Sequence, residues 1–162
     1  MQITSDHIAI YRAAGACAEA LAWAEAQPRQ YEDAREDWRH WLASNTATPP
    51  KVLAALKDDP SVMVRACLVA NPATPPETLA ALKDDPDEWV RALLAANPAT
   101  PPETLAALKD DPAAKVRRCL ARNRATPPEV LAAMRYDWDP EVRALLARHR
   151  ATPPEEGNTY AE

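Results

Sequence analysis

Asn71-Pro72-Ala73-Thr74-Pro75-Pro76-Glu77-Thr78-Leu79-Ala80-Ala81-Leu82-Lys83-Asp84-Asp85-Pro86 returns without a change at Asn97 to Pro112. Shifting the chain by 26 residues aligns Asn45, Asn71, Asn97 and Asn123 as the starts of four units, spanning 45–70, 71–96, 97–122 and 123–148. His149 through Glu155 opens an unfinished fifth, in a terminal segment 149–162. Self-similarity at a fixed period of this length marks a stack of like modules, each too small to bury its own apolar face.

The composition supports that reading and excludes others. Of 162 residues, 47% are hydrophobic and 27% charged, the formal net charge is −5, and 15 of the 17 prolines fall at fixed places in the period. They punctuate a repeat and do not mark a disordered tract. With only Gly15 and Gly157, neither a P-loop nor a dinucleotide-binding turn can be built, since both need several glycines to bring backbone N–H groups against phosphate. The first residues lack a basic stretch followed by an apolar one, and no run of 18 apolar residues occurs, so a cytoplasmic protein without membrane contact is expected. Cys17, Cys67 and Cys119 are widely spaced and odd in number, which points to reduced thiols packed in a core and to no metal site or cofactor.

Within a unit, Thr74-Pro75-Pro76-Glu77 reads as the start of a first helix, A, with threonine as N-cap, prolines in the first turn and glutamate closing a capping box. Asp85-Pro86-Asp87-Glu88 starts a second, B, by the same logic, with Asp85 as the cap. Leu79 and Leu82, then Val90, Leu93 and Leu94, supply the apolar faces. Asn97-Pro98 stops helix B, with the asparagine in a left-handed conformation. Helices this short are unstable alone, so the pairs must stack, at about 8–10 Å per helix layer, and alanine lets the layers approach closely. The expectation is an all-α protein: a right-handed α-solenoid of four helical-pair repeats.

The pattern N-P-x-T-P-x-E-x-L-x-x-L-x-x-D-P-x-x-x-V-R, followed over residues 45 to 155, resembles the leucine-rich-repeat variant family, a relative of HEAT and armadillo repeats. The resemblance implies a right-handed superhelix in which one helix of each pair is short or 3₁₀-like. Some members carry an iron–sulfur cluster on clustered N-terminal cysteines; here Cys17 alone precedes the repeats, and three cysteines cannot supply four thiolates. The resemblance to HEAT-like repeats also implies a structural ladder of carboxylates and guanidiniums between layers, on Asp59/Arg65, Asp85/Arg91, Asp111/Arg117 and Asp137/Arg143. HEAT-like DNA glycosylases use aromatics, an arginine and a carboxylate in a groove; Trp89, Trp138, Arg118 and Asp139 match them in type only.

Residues 1–44 lie outside the period. Ala16 to Trp23 and Asp37 to Leu42 read as two amphipathic helices joined near Pro28, an N-terminal cap on the array, with Trp23, Trp38 and Trp41 as aromatic filling against the first unit. The segment also resembles, weakly, a helical stretch in front of uncharacterised bacterial and phage proteins. Glu155 to Glu162 is polar and expected to fray.

Function is sought where the units disagree, because the shared pattern cannot explain a residue that breaks it. The place before the helix B valine is Met63, Trp89, Lys115 and Glu141 in turn, so it faces outward and makes Trp89 a candidate anchor. In the last unit Tyr136 and Trp138 replace Asp84 and Pro86, and Asp139-Pro140 suggests a helix B that restarts two residues late. The four units carry net charges of +1, −3, +2 and 0, and the third adds Lys115, Arg118 and Arg122, beside Arg124, to its ladder arginine. His7, His40 and His149 lie far apart in sequence, and no Ser-His-Asp, Cys-His or H-E-x-x-H arrangement can be written, which argues against an enzyme.

The reading is a non-catalytic scaffold, monomeric, that binds a protein or peptide on a concave face built from the B helices. Trp89, Tyr136 and Trp138 would anchor, and Lys115, Arg118 and Arg122 would orient an acidic partner. Nucleic-acid binding through the basic third unit is the alternative, disfavoured by the overall negative charge. A small phage-type inhibitor that occludes a partner's surface is a further one.

Overall fold

In the computed structural model, residues 34–151 are described, with side chains from Arg39 to Arg148. Cys17, Trp23, His7, the first cap helix, the Trp38 side chain and the tail from residue 152 lie outside them. The described residues are helical throughout, without a strand: α1 (Ala34–Ser44), α2 (Pro50–Ala55), α3 (Val62–Ala70), α4 (Pro76–Ala81), α5 (Glu88–Ala96), α6 (Pro102–Ala107), α7 (Ala114–Arg122), α8 (Pro128–Ala133) and α9 (Pro140–Ala151). Helix A of each unit is thus α2, α4, α6 or α8. Each runs into a 3₁₀ turn, Leu56–Asp58, Leu82–Asp84, Leu108–Asp110 or Met134–Tyr136.

The helix B elements pack in sequence, α3 on α5, α5 on α7 and α7 on α9. Their valines Val64, Val90, Val116 and Val142 are fully buried, as are Leu68, Leu94 and Leu120. Leu79 and Leu105 from the A helices and Leu82 and Leu108 from the 3₁₀ turns that follow them close the same core. This row of like contacts is a helical-repeat solenoid, held by apolar surface that no single unit could cover. Cys67 and Cys119 are only half-buried, on the flank of that core beside Leu93 and Leu145.

Capping differs from the sequence expectation. Helix A starts on the second proline of each pair, and the first, with φ near −57° and ψ near 141°, precedes it with no side-chain cap. The threonines do not form capping boxes. Thr48, Thr74, Thr100 and Thr126 Oγ1 instead donate at 2.7–2.8 Å to the carbonyls of Leu42, Leu68, Leu94 and Leu120, at the end of the preceding B helix. The hydroxyl thereby adds a donor at a helix end, where the Leu68, Leu94 and Leu120 carbonyls otherwise take only a 3.2 Å bond from the asparagine N–H three residues on.

Helix B also begins two residues later than expected. Its N-cap is Asp87 in the second unit, whose carboxylate accepts from Trp89 N at 2.8 Å, and not Asp85. The start is in register in all four units, at Val62, Glu88, Ala114 and Pro140, so the last unit shows no delayed restart.

The asparagines are not left-handed either: Asn71, Asn97 and Asn123 have φ between −79° and −75° and ψ near 119°. Each turns its side chain into a two-way brace. Oδ1 accepts the N–H two residues on, at 2.8–2.9 Å. Nδ2 donates back into the previous unit, to Ala43, Val69 and Ala95 carbonyls at 2.6–2.8 Å. At position 149 histidine replaces this asparagine, and α9 runs on to Ala151 instead of stopping. Arg124 follows Asn123 where proline follows Asn71 and Asn97, and α7 still ends at Arg122, so asparagine stops the helix without a proline behind it.

The N-terminal cap is partly a repeat. Helix α1 packs on α3 as α3 packs on α5, and Arg39, Leu42 and Asn45 stand 26 residues before Arg65, Leu68 and Asn71. The period therefore reaches back to α1, a half unit, in contrast to the boundary expected at residue 44. Trp41 is half exposed and does not fill the junction, because it takes the flank position of Cys67 while Leu42 and Ala43 take the buried ones.

Candidate functional site

The ladder arginines define the frame. Arg65 Nε donates to Asp85 Oδ2 at 2.6 Å and its NH2 to Asp85 Oδ1 at 3.0 Å. The same fork joins Arg91 to Asp111 at 2.8 and 3.2 Å, and Arg117 to Asp137 at 2.8 and 3.1 Å. Each rung links one unit to the next, over 20 residues, while the arginine NH1 donates at 2.6–2.7 Å to a backbone carbonyl of its own unit. The aspartates also accept an N–H two residues on, so every carboxylate is fixed by both units. The hydrogen bonds to Asp85 and Asp111 raise the pKa values of Arg65 and Arg91 beyond the ordinary guanidinium value, against the opposing effect of burial. Arg39 and Asp59 add a looser first rung at 3.3 Å, which the sequence pattern had not included.

On this frame the fourth unit presents two aromatic side chains. The Met134–Tyr136 turn places Tyr136 where the second unit has Asp84, and Asp137, clamped by Arg117, sets Trp138 where that unit has Pro86. Tyr136 is 83% exposed and Trp138 75%. The Trp138 ring lies 4.8 Å from the Arg117 guanidinium carbon, and Tyr136 lies 5.3 Å from that of Arg135, both within cation–π range. Between this turn and Lys109, Asp110 and Asp111 of the third unit lies a shallow groove of about 370 Å³, with Met134 on its floor. A rigid turn that holds large rings in water loses little entropy when they are covered.

The other residues singled out by sequence are placed differently. Trp89 is half-buried in the first turn of α5, two units away from the aromatic turn, and Met63 and Lys115 are exposed at the equivalent places. Arg118 and Arg122 are not a free basic patch. Arg118 pairs with Asp139 at 2.7 Å and Glu141 at 2.8 Å, and Arg122 with Glu141 at 2.9 Å, so the fourth unit largely neutralises them. The Arg118 bond holds the Asp139 carboxyl down to about 2, helped by N–H donation from Val142 and Glu141. Trp89, Trp138, Arg118 and Asp139 do not converge on one groove; Arg118 and Asp139 are spent on each other.

One contact contradicts the sequence reading. His40 lies against Cys67, with both ring nitrogens 3.6 Å from Sγ, although no Cys-His arrangement could be written from the sequence. The two are 27 residues apart, one period plus one, which stacking turns into adjacency. For Cys119, at the same place two units on, the residue 27 positions earlier is Ala92 and not a histidine.

Among the described residues, no group of three or more His, Cys, Asp or Glu side chains is gathered as a metal would require, and no helix is long and apolar enough to cross a membrane. The segment from α5 through the 3₁₀ turn that follows α6, closed by Asp111, Pro112 and Ala113, carries helix B, the asparagine brace and a rung acceptor in one period. Residues 88–113 match the leucine rich repeat variant family. This leucine rich repeat variant segment spans helix B of the second unit and helix A of the third, and its neighbours repeat the same fold. No curated protein and no solved structure matches the chain.

Proposed function

We propose that the chain is a non-catalytic scaffold of the cytoplasm that binds a protein or peptide, with the Tyr136–Trp138 turn as its anchor. The observation that carries this reading is the exposure of both rings, 83% and 75%, on a turn fixed from two sides by the Arg117–Asp137 rung. Exposed aromatics on a pre-ordered frame are the side chains that dominate protein-binding energetics, because burying them removes large areas from water at small entropic cost. The match of the 88–113 segment to a repeat family fits a scaffold built from stacked modules. Compared with the sequence expectation, the centre of binding moves from the B helices to the turns between helices, where the groove lies. In this reading Trp89 on α5 and Lys115 on α7 supply the partner with a second, smaller area to touch. Engagement of Arg118 and Arg122 by Asp139 and Glu141 leaves little free charge for a polyanion, so nucleic acid is not the favoured partner.

The test is capture from a lysate by the immobilised chain and by Tyr136→Ala/Trp138→Ala. The variant keeps wild-type helix content, since both rings are exposed, and loses the partners that the parent retains. Equal capture by the two proteins would sink the reading.

A further inference from the structure

The contact between His40 and Cys67 is one that the repeat does not require. In register, Ala66, Ala92 and Arg118 stand at the place of His40, and Leu93 follows Cys67 one unit on, so neither side chain belongs to the shared pattern. Helix α1 packs on α3 and brings both ring nitrogens of His40 to 3.6 Å from the Cys67 Sγ. A neutral imidazole has one acceptor nitrogen, and here that nitrogen is within reach of the thiol in either tautomer. Both side chains are half-buried, which leaves the pair open to a small reagent. Cys119 gives the comparison within the same chain. It is half-buried on the same flank, with Ala92 in place of the histidine, and Lys115 four residues before it on α7 is a cation with no acceptor for a proton.

We propose that Cys67 is a covalent modification site for a low-molecular-weight disulfide, with His40 as the acceptor of the thiol proton. The attacking form in thiol–disulfide exchange is the thiolate, and a base in contact with the sulfur supplies it where the reaction takes place. The Cys67 Sγ attacks one sulfur of the reagent RS–SR as its proton passes to His40. A bond forms between Sγ and that sulfur, the S–S bond of the reagent breaks, and the other sulfur departs with the electron pair and takes the proton from the ring as RSH. Cys67 is thereby oxidised to a mixed disulfide, half of the reagent is reduced to a thiol, and no other oxidant enters. A cysteine in water is only a few per cent thiolate at neutral pH, so a base at the sulfur has room for about a tenfold gain in rate, once the weaker nucleophilicity of a stabilised thiolate is allowed for. The adduct would sit where α1 meets the first full unit, apart from the Tyr136–Trp138 turn, and the site does not depend on the aromatic anchor.

The experiment treats the full chain with hydroxyethyl disulfide at neutral pH and follows the adducts at Cys67 and Cys119 separately by peptide mass spectrometry. Cys67 in the parent reacts about tenfold faster than Cys67 in His40→Ala or His40→Gln, while Cys119 reacts at one rate in all three proteins. Alanine stands at this place in the next two units, so His40→Ala keeps the fold. Glutamine fills much of the space of the ring and can still hydrogen-bond, but has no basic nitrogen, so a role of His40 in shielding or packing would survive that change. A Cys67 rate that is unchanged or higher in His40→Gln would overturn the proposal. So would an equal fall at Cys119, since access to the thiols and not His40 would then set the rate.

Discussion

Arg65 and Asp85 lie 20 residues apart in sequence and 2.6 Å apart in space, and the same relation recurs at Arg91–Asp111 and Arg117–Asp137. Both members of each pair are largely shielded from water. Removing one member leaves the other buried and unpaired, which is costlier than the pair is favourable. Asp85→Ala is therefore expected to cost about 3 kcal/mol, a fall in Tm on the order of 10 °C for a chain of this size. Arg143→Ala, at an exposed position that no carboxylate of the described residues reaches, costs less than about 1 kcal/mol. Thermal scans of the two variants test the contrast.

Acid acts on the second set of pairs. The Asp139 carboxyl is lowered from 3.8 to about 2, chiefly by the Arg118 hydrogen bond. The folded state therefore holds the ionised form more strongly than the unfolded chain does, and this stabilisation is complete above the unfolded value and fades as pH falls through the folded one. A carboxyl-carbon titration of Asp139 should show a midpoint near 2, moving towards 3.8 in Arg118→Gln. An unchanged midpoint in the variant would remove Arg118 as the cause.

The asparagine brace predicts a further loss. Asn97 Nδ2 donates to Val69 O at 2.6 Å and its Oδ1 accepts from Ala99 N at 2.8 Å. Asn97→Ala leaves a carbonyl and an N–H without these bonds, at about 2 kcal/mol in urea unfolding.

Much of this architecture can be read in the sequence because repetition is loud. The period, the A and B helices and the buried leucine and valine columns follow from Asn71 to Pro86 recurring at Asn97 to Pro112. The half unit at α1 was hidden because His40 and Trp41 stand where later units have Ala66 and Cys67, so that only Arg39, Leu42 and Asn45 keep the register. The caps were misread for a different reason: threonine, aspartate and asparagine have several backbone partners, and here stacking supplied ones in the neighbouring unit. Thr74 turned to the Leu68 carbonyl and Asn71 to that of Ala43. The same applies to Arg118 and Arg122, whose partners lie 21 and 19 residues away and become visible once a rung is known to join a unit to the next. Tyr136 and Trp138 could be singled out from sequence as departures from the pattern, but the cation–π contact of Trp138 with Arg117 depends on a neighbouring layer.

The measurement that bears most directly on stacked units is a double-mutant cycle on Arg91→Ala and Asp111→Ala, residues of successive repeats joined at 2.8 Å. The account predicts a coupling energy of about 2 kcal/mol, so that the double variant is little worse than either single one. Strictly additive losses would mean that the second and third units do not lie side by side in solution.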